Sequence, residues 1–306
     1  IMRDLEKYKG VIPAFYACYD EKGEISPEGV RALTEYYIRK GVKGVYVNGS
    51  SGECIYLTVA ERKTVLEHVM AVAHGKLTVI AHVACNNTKD SQELAAHAES
   101  LGVDAIAAIP PIYFHLPDYA IAEYWNDISA AAPNTDFLIY NIPQLAGVAL
   151  TPQLFVKMRE NPRVIGVKNS SMAVQDIQIF KSLGKEECVV FNGPDEQFLG
   201  GRMMGADGAI GGTYGAMPEL YLYMERCIRS GHAEDARKAQ YQVNRIIEKL
   251  CSGHGSMYAV IKAVLKIREG LNLGSVRKPQ ARMAEADDKI VKEAAQMIEE
   301  AIRCYE

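Results

Sequence analysis

The stretch Val164-Ile165-Gly166-Val167-Lys168 decides how the chain is read: a short apolar run with a lysine at its far end. Runs of this kind elsewhere in the sequence, at 11–17, 44–48, 77–83, 104–109, 137–141, 188–192 and 208–212, bring the number of strand candidates to eight. They are continuously apolar rather than alternating, the pattern of parallel strands covered on both faces. Between them the period is helical. Ser26-Pro27 supplies an N-cap followed by proline at the first helical position. Thr58 with Glu61 forms a capping-box pattern, and Thr151-Pro152 opens a further helix. Gly41 and Gly102 stand where helices should stop before the next strand.

Eight β-then-α units predict a (β/α)8 TIM barrel of the α/β class. The rival is a doubly wound open sheet, but no G-x-G-x-x-G follows the first strand. Beyond residue 212 the period is helical throughout, with segments at 218–230, 233–251, 256–270 and 286–304. The expected organisation is a barrel over 1–230 and a C-terminal helical extension, 231–306, packed on it.

The 306 residues carry a formal net charge of −4, which gives no electrostatic case for nucleic acid or an anionic membrane. No apolar run approaches the roughly 20 residues that span a bilayer. The charged opening, residues 1–10, lacks the apolar centre of a signal peptide. Seven scattered cysteines without a C-x-x-C pair suggest neither disulfides nor zinc, and fit free thiols in a reducing cytoplasm. No metal and no cofactor is expected.

In a barrel, reactive groups gather at the C-terminal ends of the strands. That rule nominates Ser50-Ser51, Tyr113, Tyr140, Lys168, Asp195-Glu196 and Thr213-Tyr214. A lysine closing a buried strand is desolvated, which favours the neutral, nucleophilic amine. The bland alternative is a lysine that snorkels to water or pairs with Glu53 or Glu196. Tyr140, on the neighbouring strand, can give and take a proton. Its alternative is an ordinary packed aromatic with a wet tip. Gly49-Ser50-Ser51-Gly52-Glu53 could hold a carboxylate on its amides and hydroxyls, or could be a plain strand-to-helix turn. His82 reads as a hydrogen-bonded core residue rather than a ligand.

These motifs carry a resemblance. With Gly205-Ala206-Asp207-Gly208, the segments Gly49–Glu53, Tyr140-Asn141-Ile142-Pro143 and Gly166-Val167-Lys168 make the chain similar, nearly end to end, to the dihydrodipicolinate synthase/N-acetylneuraminate lyase family of Schiff-base barrels. The resemblance implies that Lys168 forms an imine with a 2-keto acid, with Tyr140 as acid/base and Ser50 as relay. It implies that the amides of Ser50 and Ser51 hold the substrate carboxylate, and that Tyr113 reaches across a dimer interface in a homotetramer. Leu145 stands where the synthase branch has an arginine, so the chain looks more like the lyase branch. There Gly193, Asp195 and Glu196 would grip a polyhydroxy tail, with Ser170, Gly211 and Gly212 nearby. Gly212 and Ser170 replace the serine and threonine that branch usually carries, and Phe114 replaces a tyrosine.

The implied reaction is retro-aldol cleavage of N-acetylneuraminate to N-acetylmannosamine and pyruvate. A pyruvate-dependent aldolase or keto-acid dehydratase acting on a 2-keto-3-deoxy sugar acid, or a dihydrodipicolinate synthase-like enzyme, is the alternative within the family. A catalytically silent ligand-binding barrel is the alternative outside it.

Overall fold

Strands β1 (Val11–Pro13), β2 (Gly44–Val47), β3 (Thr78–His82), β4 (Ala105–Ala108), β5 (Asp136–Asn141), β6 (Val164–Asn169), β7 (Val189–Asn192) and β8 (Gly208–Gly211) form one parallel sheet in the computed structural model, which describes residues 4–305. The hydrogen-bonded order is β1-β8-β7-β6-β5-β4-β3-β2. An isolated parallel bridge between Ala14 and Tyr46 joins the two ends, helped by Lys43 N donating to Val11 O. The sheet thereby rounds into a (β/α)8 barrel.

The helices are α1 (Pro27–Lys40), α2 (Val59–Ala73), α3 (Thr88–Ser100), α4 (Asp118–Ala130), α5 (Pro143–Ala146), α6 (Pro152–Met158), α7 (Gln175–Gly184), α8 (Phe198–Met203), α9 (Pro218–Arg229), α10 (Ala233–Leu250), α11 (Met257–Glu269) and α12 (Asp287–Tyr305). Their ends follow local chemistry. Ser26 accepts from Gly29 N, and Gly41 stops α1 in the left-handed conformation. Thr58 and Glu61 form both bonds of a capping box, and Thr151 accepts from Leu154 N. Helix α10 packs on α9 and α12, and α11 packs on α12. No described helix is long and apolar enough to cross a membrane.

The first strand is shorter than the apolar run 11–17 suggests. Past Pro13 the chain leaves β8 for β2: Ala14 N still donates to Gly211 O, whereas Phe15 N donates to Tyr46 O. Residues 14–17 stay buried but run between two partners rather than along one.

One irregularity matters for the site. Along β5 and β6, Phe137 pairs with Val164 but Leu138 pairs with Gly166, so Ile165 is an extra residue, a β-bulge. A side chain at Gly166 would put its Cβ 1.8 Å from Val189 O, so only glycine fits. Ile165 packs inside with Leu138, Tyr140 and Phe191, while Val164 and Val167 pack outward against the helices.

Candidate active site

The bulge leaves Lys168 beside Tyr140 in register across β5 and β6. Its ammonium is 3.9 Å from the centre of the Tyr140 ring and 4.2 Å from that of Tyr46, on β2. Those two rings meet edge to face at 5.7 Å. Lys168 is 5% exposed, so it does not snorkel. Among the described residues no carboxylate pairs with it, and Glu53 is bound instead to Lys262. A cation over two aromatic faces is held by their quadrupoles, without a fixed counter-charge.

Above Lys168 opens a cavity of about 280 Å³. Its lining brings together Ser50, Ser51, Tyr140, Lys168, Ser170, Gly193, Asp195, Glu196, Gly211 and Gly212 from separate strand ends. Tyr113 is not among them. It lies in the loop after β4, 86% exposed, its ring edge-on to Phe114 at 5.1 Å.

The turn after β2 is held at both ends. Gly52 N and Cys54 N bond to Gly49 O and Glu53 N to Ser50 O, while the amides of Ser50 and Ser51 donate to no protein group among the described residues. Ser50 and Ser51 both line the cavity, so the turn brings to it two amides without a protein partner and the Ser50 hydroxyl, donors suited to an anion.

Asp195 is buried, and one of its oxygens accepts from Thr213 N at 2.6 Å and from the Thr213 hydroxyl. Burial nevertheless pushes its carboxyl up to about 6, against those two bonds. Half of this carboxylate is therefore committed to the protein, and Glu196 beside it is the exposed one. His82 is a core residue: Nδ1 lies 2.9 Å from Asn48 O, and burial holds the ring well below its ordinary pKa. Among the described residues no group of three or more metal-ligating side chains is gathered.

The sequence reading missed the contribution of the C-terminal helices. Ile247, Met257 and Tyr258 line the cavity, and Ser51 Oγ donates to Tyr258 Oη at 2.9 Å. A signal was present. In Met257-Tyr258-Ala259-Val260-Ile261-Lys262 a phenol and a lysine stand four residues apart in an apolar helix, on one face. Gly212 also acquires a reason, since a Cβ there would lie 2.8 Å from Tyr258 Oη and 3.1 Å from Ser51 Oγ.

Fold and site together define a barrel with an aromatic-lined lysine at the end of its sixth strand and a turn with two unpartnered amides at the mouth. The chain belongs to the dihydrodipicolinate synthetase family, whose model matches residues 7–300. It is 74% identical over 297 residues, 97% of this chain and 94% of the relative, to an N-acetylneuraminate lyase of Mediterraneibacter gnavus. A solved structure of wild-type Ruminococcus gnavus sialic acid aldolase superposes with TM-score 0.97 at 73% identity, covering 98% of this chain and 100% of that one. A catalytic lysine mutant of that aldolase gives TM-score 0.99 at 72% identity over the whole of both chains.

Proposed function

We propose that the protein is a class I aldolase of the lyase class that cleaves N-acetylneuraminate to N-acetylmannosamine and pyruvate. The observation that carries this is Lys168, desolvated over Tyr140 and Tyr46 without a carboxylate partner and open to the cavity. The 74% identical relative supports the choice of substrate.

In this reading the neutral Lys168 amine attacks the C2 ketone of the open-chain sugar acid. Tyr140 passes protons as the carbinolamine forms and loses water, leaving an iminium. A base relayed through Tyr140 and the substrate carboxylate takes the C4 hydroxyl proton, and the C3–C4 bond breaks. Its electron pair moves into the iminium, giving an enamine and releasing N-acetylmannosamine as the aldehyde. Protonation at C3 and hydrolysis release pyruvate and restore the lysine. Ser50 relays protons to Tyr140, and the free amides of Ser50 and Ser51 hold the carboxylate. Glu196, Gly193, Ser170, Gly211, Gly212 and the uncommitted oxygen of Asp195 face the sugar tail.

The exposed Tyr113 and Phe114 suit a surface that meets a second copy in a cytoplasmic homotetramer, with Tyr113 completing the neighbouring site. Borohydride reduction with pyruvate is expected to fix a covalent adduct on Lys168, and steady-state assays to favour N-acetylneuraminate over 2-keto-3-deoxy sugar acids. An adduct on another lysine overturns the mechanism. A larger kcat/KM on a deoxygluconate-type acid overturns the substrate and leaves the imine standing.

A further inference from the structure

The turn that offers its amides to the substrate is conformationally costly. Asn48 and Glu53, at its two ends, both lie in the left-handed region, at φ 60° and 55°. Neither is glycine, and such a backbone persists where surrounding contacts over-determine it. Asn48 is fixed locally, its side-chain amide donating to Arg62 O at 2.9 Å.

Glu53 is fixed from far away. Its carboxylate, wholly buried, accepts from Lys262 Nζ at 2.9 Å on one oxygen, and from Tyr19 Oη at 3.1 Å and Arg277 N at 2.9 Å on the other. Lys262, equally buried, also donates to Ser275 O at 2.7 Å. One turn earlier on α11, Tyr258 accepts from Ser51 Oγ. Residues four apart share a helix face, so α11 grips the turn twice, at Ser51 and at Glu53. The absence of a side chain at Gly212 leaves room for the phenol to do so.

We propose that Tyr258 and Lys262 of α11 are positioning residues that hold the Gly49–Glu53 turn in the shape that aims its free amides at the substrate carboxylate. The proposal rests on the reading of that turn as the carboxylate seat. Aligned donors act strongly only when their geometry is fixed beforehand. Loosening either grip therefore weakens recognition of the carboxylate while leaving Lys168 and its rings in place.

The test compares two ketones, pyruvate and hydroxyacetone, the second lacking a carboxylate. Each is titrated against the full chain with borohydride, and the fraction of Lys168 carrying the reduced adduct is read by mass spectrometry. The variants are Tyr258→Phe, which removes one oxygen, and Glu53→Leu/Lys262→Met, which replaces the buried pair together and leaves no lone charge. Each variant is expected to raise the pyruvate midpoint about tenfold or more and to leave the hydroxyacetone midpoint within about twofold. A folded Tyr258→Phe protein with the parent's pyruvate midpoint overturns the proposal, whether or not the double variant folds. Equal rises for both ketones overturn it too, since they mark general damage to the site. A parent protein that does not discriminate between the ketones overturns the carboxylate seat itself, and the proposal with it.

Discussion

Among the described residues two lysines are buried, Lys168 at 5% and Lys262 at 1% exposure, in two regions that treat them differently. In the barrel, Lys168 meets two tyrosine faces and an open cavity. Between barrel and extension, Lys262 meets a carboxylate, a carbonyl and the Tyr19 ring. Burial pulls the Lys262 ammonium below its ordinary pKa, and Glu53 opposes that pull. Lys262 is tied to a dedicated carboxylate, whereas Lys168 has only ring faces beside it and an open cavity above. Depth alone does not make a nucleophile. The partner decides.

The comparison breaks most visibly if the lysines are removed one at a time. Lys168→Ala is expected to abolish borohydride trapping and to lower kcat by about 10,000-fold or more, with the fold intact by circular dichroism. Lys262→Met should act first on stability, costing about 3–5 kcal/mol in denaturant unfolding because Glu53 is left as a buried charge without its main partner. A Lys262→Met protein as stable as the parent would sink the structural reading of that pair. Tyr140→Phe separates chemistry from charge: turnover should fall about 100-fold or more while the adduct on Lys168 still forms.

A pH experiment sharpens the contrast using Asp195. Its folded carboxyl titrates at about 6, above the ordinary carboxylate range. Between those values the folded protein holds a proton that the unfolded chain has lost, so this group's stabilising contribution falls as pH rises through 6. Asp195→Asn removes that fall. The variant's thermal midpoint should gain on the parent's between pH 5 and 7.5, by the equivalent of roughly 1 kcal/mol. A difference flat with pH would place the cost elsewhere. The smallest effect is expected at Tyr46, whose buried hydroxyl has no protein partner among the described residues. Tyr46→Phe should leave unfolding stability within about 1 kcal/mol of the parent or slightly above it.

The barrel was legible because its strands are apolar on both faces and its helices carry Ser26, Thr58 and Thr151 at their starts. Lys168, Tyr140 and Ser50-Ser51 were legible because the strand-end rule converts position along the chain into position in space. What escaped was contact across long separations. Glu53 offered itself as a partner for Lys168, but its partner lies 209 residues away, on a helix read only as packing. Tyr258 escaped for the same reason. The commitment of Asp195 to Thr213 also escaped, since no spacing rule links β7 to the segment after β8.

The extra residue at Ile165 has a consequence for how such a site can be lost. Side chains along a strand alternate between the two faces, so one inserted or deleted residue exchanges them. Ile165 is added between two positions that already alternate, so its removal would leave Lys168 inward beside Tyr140. Deleting Val167 instead would move the lysine into an outward position opposite Ile139, among the helices, while keeping the strand count and the lysine itself. The direction of the amine thus depends on the parity of the residues that follow the bulge.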